Sequence, residues 1–133
     1  MGKFDLIREL NSDHAILISK LDAIREEGCV NLKVQILLTE IRSMLVAHLG
    51  KEETSFYPAM RKAAETNENL RETLQIMGTE MEAISAKALT MIDSWLAGEG
   101  LVSFASNFNA FYTLLADRIR REEHTLYSKF LKL

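Results

Sequence analysis

Two short segments of the chain carry a histidine or an arginine four residues before a pair of glutamates. In HLGKEE, His48 precedes Glu52, and in RIRREE, Arg118 precedes Glu122. Residues four apart lie on one face of a helix. An imidazole and a carboxylate on one helix face suit iron, zinc or manganese. The first segment therefore has the form of a metal half-site, whereas the second has an arginine at the position of a ligand.

Apolar residues recur at steps of three or four along most of the chain, which predicts amphipathic helices. Buried charges are unfavourable unless they are paired or bound to a metal. Counted from the turns at Gly28 and Gly98, at about 1.5 Å per residue, the polar residues on these stripes fall at similar depths, so we expect one central layer. These residues are His14, His48, Glu52, Arg118 and Glu122.

Four long helices with short connections are predicted, which favours an all-α, up-down-up-down antiparallel four-helix bundle. Breaks are expected at Gly28, at Pro58 and at Gly98 to Gly100. Asn31 is predicted to cap the second helix, and Asn69 with Glu72 the third. The predicted core stripe of the third helix is Leu74, Met77, Met81, Ile84, Ala88, Met91 and Trp95.

The two halves of the sequence match each other, which indicates two repeated helical hairpins. A shift of 70 residues places the second helix on the fourth and pairs His48 with Arg118. A shift of 67 residues places the first helix on the third and pairs His14 with Met81. The second half therefore lacks the histidines of the first.

Composition excludes several classes of protein. The 133 residues carry a net charge of −3 with scattered Lys and Arg, so no nucleic-acid partner is expected. No run approaches the roughly 20 apolar residues of a membrane helix, so no membrane partner is expected either. The single cysteine, Cys29, cannot form an internal disulfide, which favours a reducing, cytoplasmic setting.

Three segments together resemble the hemerythrin-like, or HHE cation-binding, domain family. They are Asp13-His14, HLGKEETSFYP from His48 to Pro58, and RIRREEHTLY from Arg118 to Tyr127. The resemblance covers nearly the whole chain and implies one domain over residues 1–133. It implies family activities of reversible oxygen binding, oxygen or redox sensing, and iron or nitric oxide handling. It also places four residues on ligand positions of a di-iron centre: His14, His48, Glu52 and Glu122.

The chain departs from the family pattern in its second half. Met81 and Arg118 stand where the family has histidine ligands, and the remaining histidine, His124, falls off the central stripe and is expected at the surface. We therefore predict a reduced site, mononuclear or weak, in which His14, His48 and Glu52 hold one metal ion and Glu122 is a candidate fourth ligand; a di-iron site is the less favoured alternative. The Arg118 guanidinium, which grips carboxylates well, would replace the charge of the missing ion beside Glu52 and Glu122.

Three functions follow from these residues. The first is a metal-binding protein with iron as its cofactor, zinc or manganese suiting the same ligands, in metal, oxygen or redox sensing or handling. The second is a metal-free bundle that binds a protein partner or a second copy, with His14 and His48 as hydrogen-bonded core residues. The third, an oxidoreductase completed by Glu80 or a partner chain, ranks last, because no acid–base or nucleophile constellation is present and no enzymatic activity is expected.

Overall fold

The computed structural model describes residues 2–133, whose helices form an all-α four-helix bundle. Two π-helical segments, π1 (Glu52–Phe56) and π2 (Glu122–Tyr127), join α2 to α3 and α5 to α6. The four rods of the bundle are thus α1, α2-π1-α3, α4 and α5-π2-α6. The helices are α1 Lys3–Glu27, α2 Leu32–Lys51, α3 Tyr57–Ala64, α4 Glu68–Leu96, α5 Phe104–Arg121 and α6 Ser128–Leu131.

The rods form a ring in which each packs on the next and the fourth packs on the first. The first two rods are antiparallel: Lys20 pairs with Glu40 at 2.8 Å, whereas Glu9, earlier on α1, pairs with Lys51, later on α2, at 2.9 Å. The predicted up-down-up-down bundle is confirmed. Within residues 2–133, the helices are all too short or too polar to span a membrane.

The helix ends follow the predicted signals with one exception. Gly28 takes the left-handed conformation (φ 69°) after α1, and Asn31 accepts a 2.9 Å hydrogen bond from the Val34 N–H at the start of α2. The predicted cap at Asn69 with Glu72 is wrong. Asn67 caps α4, because its extended backbone lets its side chain accept from the Leu70 N–H at 3.1 Å.

The apolar stripes that predicted the other three helices are buried along their whole length, from Ile7 to Ile24, from Val34 to Phe56 and from Phe104 to Phe130. The predicted stripe of α4 is partly wrong: Ser85 and Ile92 are buried, while Leu74, Ile84 and Met91 are only partly buried. Ser85 is tolerated in the core because its hydroxyl donates to the Met81 carbonyl at 2.9 Å.

The two π-helical segments begin at the paired glutamates of each half. In π1 the Tyr57 N–H donates to the Glu52 carbonyl, five residues back. Pro58, in the first turn of α3, has no N–H with which to continue the α-helical pattern. The helix therefore breaks at Pro58 as expected, but the irregularity starts six residues earlier, at the candidate ligand Glu52.

A layer of buried polar residues divides the core into two hydrophobic clusters. The turn-end cluster, near Gly28 and Gly98, includes Leu21, Leu38 and Phe108. The termini-end cluster, at the opposite end of the bundle, includes Leu10, Phe56, Met81 and Tyr127. The polar layer consists of His14, His48, Glu52, Ser85, Arg118 and Glu122.

Candidate metal centre

His14 of α1 and His48 of α2 meet in the middle of the polar layer. Their Nε2 atoms are 3.1 Å apart, and the two residues are only 3% and 1% exposed. Each ring contacts a carboxylate through its other nitrogen. His14 Nδ1 lies 2.8 Å from Glu123 Oε2, and His48 Nδ1 lies 3.0 Å from Asp13 Oδ2. Both rings are therefore held with Nε2 toward the bundle axis.

These contacts assign the tautomers of the two rings. A carboxylate accepts a hydrogen from Nδ1, which leaves a lone pair on each Nε2. Two lone pairs that face each other at 3.1 Å require a proton or a cation. Two nitrogens bound at about 2.1 Å to one ion are separated by about 3.0 Å at a right angle and about 3.4 Å at the tetrahedral angle. The observed separation fits neighbouring ligands of one metal ion.

Glu122 adds a carboxylate to the two imidazoles. Its Oε1 lies 3.3 Å from His14 Nε2, and one ligand atom from each of His14, His48 and Glu122 lies within 4.8 Å of the others. The fourth predicted ligand, Glu52, is at the edge of this group. Its Oε1 is 3.6 Å from His48 Nε2, but both of its oxygens already have other partners.

Tyr127 covers the group on the side of the termini-end cluster. Its ring stacks on His14 with centroids 5.6 Å apart and an interplanar angle of 7°. Its hydroxyl donates to Glu52 Oε2 at 2.9 Å and lies 3.4 to 3.5 Å from the Nε2 atoms of His14 and His48. Tyr127 therefore orients Glu52 and separates the site from the termini-end cluster.

Arg118 occupies the opposite side of the layer, as the sequence predicted. Its Nη2 lies 3.5 Å from Glu52 Oε1 and 3.4 Å from Glu122 Oε2, while Nη1 donates to Ser85 Oγ at 2.6 Å. Its Nε is buried and has no hydrogen-bond partner. A fixed positive charge thus stands between the two glutamates.

The buried charged groups of the layer shift one another's pKa values. Burial and the neighbouring charge of Glu122 raise the pKa of Glu52. Burial would also raise the pKa of Glu122, but its contact with the His14 ring and the charge of Arg118 lower it overall. Burial lowers the pKa of His48, although Asp13 opposes this shift.

The structure also tests the predicted positions of three residues outside the ligand cluster. His124 is exposed, and Met81 is buried in the termini-end cluster. Glu80 is exposed and paired with Arg121, so it does not complete the site. Asp13 and Glu123, the hydrogen-bond partners of the histidines, were not predicted from the sequence, although each lies next to a candidate ligand in the chain.

The family model of the hemerythrin HHE cation-binding domain matches residues 5–130, nearly the whole chain. The chain belongs to this family. Neither the curated proteins nor the solved structures contain a significant match. As a hemerythrin-like domain it is a cation-binding domain, and His14, His48 and Glu122 form a cluster able to hold a metal ion.

This hemerythrin-like domain differs from the family pattern on one side of the polar layer only. On that side Met81 is apolar and Arg118 is cationic, and neither provides a ligand for iron-type ions. On the other side both histidines, Glu122 and their carboxylate partners are in place. The histidine donors of the cluster therefore all lie on one side of the layer.

Proposed function

We propose that this hemerythrin-like domain binds a single iron ion and serves in metal, oxygen or redox sensing or handling. His14, His48 and Glu122 would hold the ion, with Glu52 as a fourth ligand. The observation that carries the proposal is the pair of Nε2 atoms that face each other at 3.1 Å while carboxylates hold both Nδ1 atoms. Carboxylate–histidine pairs of this kind orient metal ligands.

A single ion is favoured because Arg118 stands in place of a second one. The guanidinium is always charged and contacts both Glu52 and Glu122. It keeps these carboxylates paired on the side that lacks histidines. A bound iron ion would supply one-electron redox chemistry, whereas oxygen carriage draws two electrons, which a single ion does not provide. Sensing or handling therefore suits the site better than oxygen transport, and no enzymatic reaction is proposed.

The protein residues around the site have separate tasks. Asp13 and Glu123 hold the two imidazoles in the ligand orientation. Tyr127 and the termini-end cluster limit the access of water from one end, and the turn-end cluster does so from the other. Lys51 contacts Asp13 Oδ2 at 2.9 Å and balances its charge.

Metal analysis of protein loaded separately with iron, zinc and manganese tests the proposal. We expect about one ion per chain in the wild type and a loss of bound metal in His48→Ala, because structural sites need all their ligands. His124→Ala is the matched control, since His124 is an exposed histidine of the same bundle. We expect this variant to keep its metal.

The Arg118→His variant tests the number of ions. The substitution restores a family ligand at a buried position, so we expect more than one ion per chain. Two ions in the wild type would contradict the single-ion proposal. Metal content far below one ion per chain that does not change in His48→Ala would favour the metal-free bundle instead. The Arg118 network with Glu52, Glu122 and Ser85 is the observation that supports this second candidate.

A further inference from the structure

The hydroxyl oxygen of Tyr127 stands close to both histidines of the candidate metal centre. Its Oη lies 3.4 Å from His14 Nε2 and 3.5 Å from His48 Nε2, and the two Nε2 atoms are 3.1 Å apart. Donor atoms that share one ion are separated by about 3.0 Å at a right angle and about 3.4 Å at the tetrahedral angle. The three atoms therefore form a triangle of the size that the ligands of one ion form.

A single position for the ion satisfies all three distances. Because Oη is nearly equidistant from the two nitrogens, a point about 2.1 Å from each Nε2 can also lie about 2.0 Å from Oη. Glu122 Oε1 approaches the same group, at 3.3 Å from His14 Nε2. On the side of the termini-end cluster, the two imidazoles are thus faced by an oxygen donor.

The position of this oxygen is fixed by the packing of its ring. Tyr127 is only 1% exposed, its ring stacks on His14, and Phe56 packs edge-on against it with ring centroids 5.3 Å apart. The hydroxyl donates to Glu52 Oε2 at 2.9 Å, which leaves the lone pairs of the oxygen for a cation. A side chain locked by such contacts is held ready as a ligand.

A tyrosine oxygen is a suitable ligand for iron. Tyrosine is one of the side chains that hold haem iron, and charged oxygen ligands suit hard ions. The oxygen binds as a phenolate, so the hydroxyl proton, now directed at Glu52, leaves to solvent as the bond to the ion forms. The negative oxygen stabilises a trivalent ion more than a divalent one, because the attraction grows with the charge of the ion.

We propose that Tyr127 is itself a ligand of the bound ion and makes the site selective for ferric iron. The inference rests on the proposed function, because it concerns the same ion. The phenolate adds a charged oxygen to the imidazoles of His14 and His48 and to the carboxylate of Glu122. This oxygen favours Fe³⁺ over the divalent ions of zinc and manganese.

Visible absorption and resonance Raman spectra of iron-loaded, air-oxidised protein test the inference. A phenolate bound to ferric iron absorbs visible light by charge transfer to the metal, and excitation in that band enhances the ring vibrations of the bound tyrosine. We expect both signals in the wild type. The vibrations should shift when ring-deuterated tyrosine is incorporated. Zinc-loaded protein should show neither signal, since Zn²⁺ has no redox chemistry.

Tyr127→Phe removes the oxygen and keeps the ring. We expect this variant to lose the visible band while it retains iron through His14, His48 and Glu122. Tyr57→Phe is the matched control, because Tyr57 is the repeat-related tyrosine, 70 residues before Tyr127. Tyr57 lines a cavity whose walls include Arg118 and neither candidate histidine. This variant should keep the band.

Two results would overturn the inference. They are an iron-loaded wild type without the band and the tyrosine vibrations, and a band that persists unchanged in Tyr127→Phe. The deuterium shift in the wild type decides the question if Tyr127→Phe does not fold. Metal content is measured on the same samples. A wild type that retains iron but lacks the band rules out the phenolate ligand alone, whereas a wild type that binds no iron contradicts the proposed function as well.

Discussion

At the scale of single residues, His14 and His48 owe their orientation to carboxylates that lie toward the surface. Asp13 is half-buried and receives hydrogen bonds from both His48 and Lys51. These bonds outweigh its burial and lower the pKa of its carboxyl group. Asp13 therefore stays ionised and keeps the proton of His48 on Nδ1, which leaves Nε2 free for a metal ion.

The Asp13→Asn variant should bind metal about 10- to 100-fold more weakly, because outer partners of this kind contribute that much to affinity. A competition titration against a chelator of known affinity measures the change. Asp5→Asn is the control, since Asp5 is an exposed aspartate of the same helix. Equal affinity in the wild type and Asp13→Asn would show that Asp13 does not orient His48 in the metal-bound protein.

The residues of the site could be predicted from the sequence where they interrupt an apolar stripe. His14, His48, Glu52, Arg118 and Glu122 all do so, and all are buried. Ser85 was missed because a small hydroxyl residue beside Ile84 looks less suited to the core. It is buried because it accepts from Arg118 of another helix, a contact that only the packed bundle provides.

At the scale of elements, the π-helical segments explain how each half positions its glutamate. Both segments start at the first residue of a glutamate pair, at Glu52 and at Glu122, 70 residues apart. Short π-helical insertions are frequent at functional sites. Pro58 predicted a break in the helix of the second rod, but the fourth rod has no proline, so its π-helical segment could not be predicted in the same way. The two halves therefore repeat not only in sequence but also in backbone conformation, since each has a π-helical segment at the same position.

The start of α4 provides a test at this scale. The Asn67→Ala variant should lower the free energy of unfolding by about 1 kcal/mol, because it removes the side chain that caps the helix. Asn69→Ala should have almost no effect, since Asn69 is exposed within the first turn. Urea unfolding of the two variants measures the difference. A larger loss of unfolding free energy in Asn69→Ala than in Asn67→Ala would show that Asn69 caps the helix, as the sequence had predicted.

At the scale of the whole molecule, the bundle and its antiparallel order followed from four apolar stripes and short connections. A cavity of about 770 Å³ between the second rod and α4 could not be predicted in this way. It is lined by residues of both elements, among them Leu49, Leu74 and Met81, so it depends on contacts between distant parts of the chain rather than on any local pattern.

Removal of the metal should destabilise the whole molecule. A ligand that binds only the folded state at 100 times its dissociation constant adds about 2.7 kcal/mol to the free energy of unfolding. Thermal melts with added iron and with a chelator measure this effect. His48→Ala is the control and should melt at the same temperature in both conditions. A wild-type melting temperature that does not respond to metal would contradict the proposed site.

The polar layer gives the bundle two hydrophobic cores instead of one. The half that holds the termini-end cluster includes both chain ends, π1, π2 and the four-residue helix α6. Among the described residues, the two clusters share only the partly buried Ile84, so we expect that without a bound ion this half opens while the other stays folded. A metal ion held by α1, α2 and π2 ties the halves together. Its occupancy would then decide whether backbone amides at the two ends exchange with solvent as separate cooperative units or as a single one.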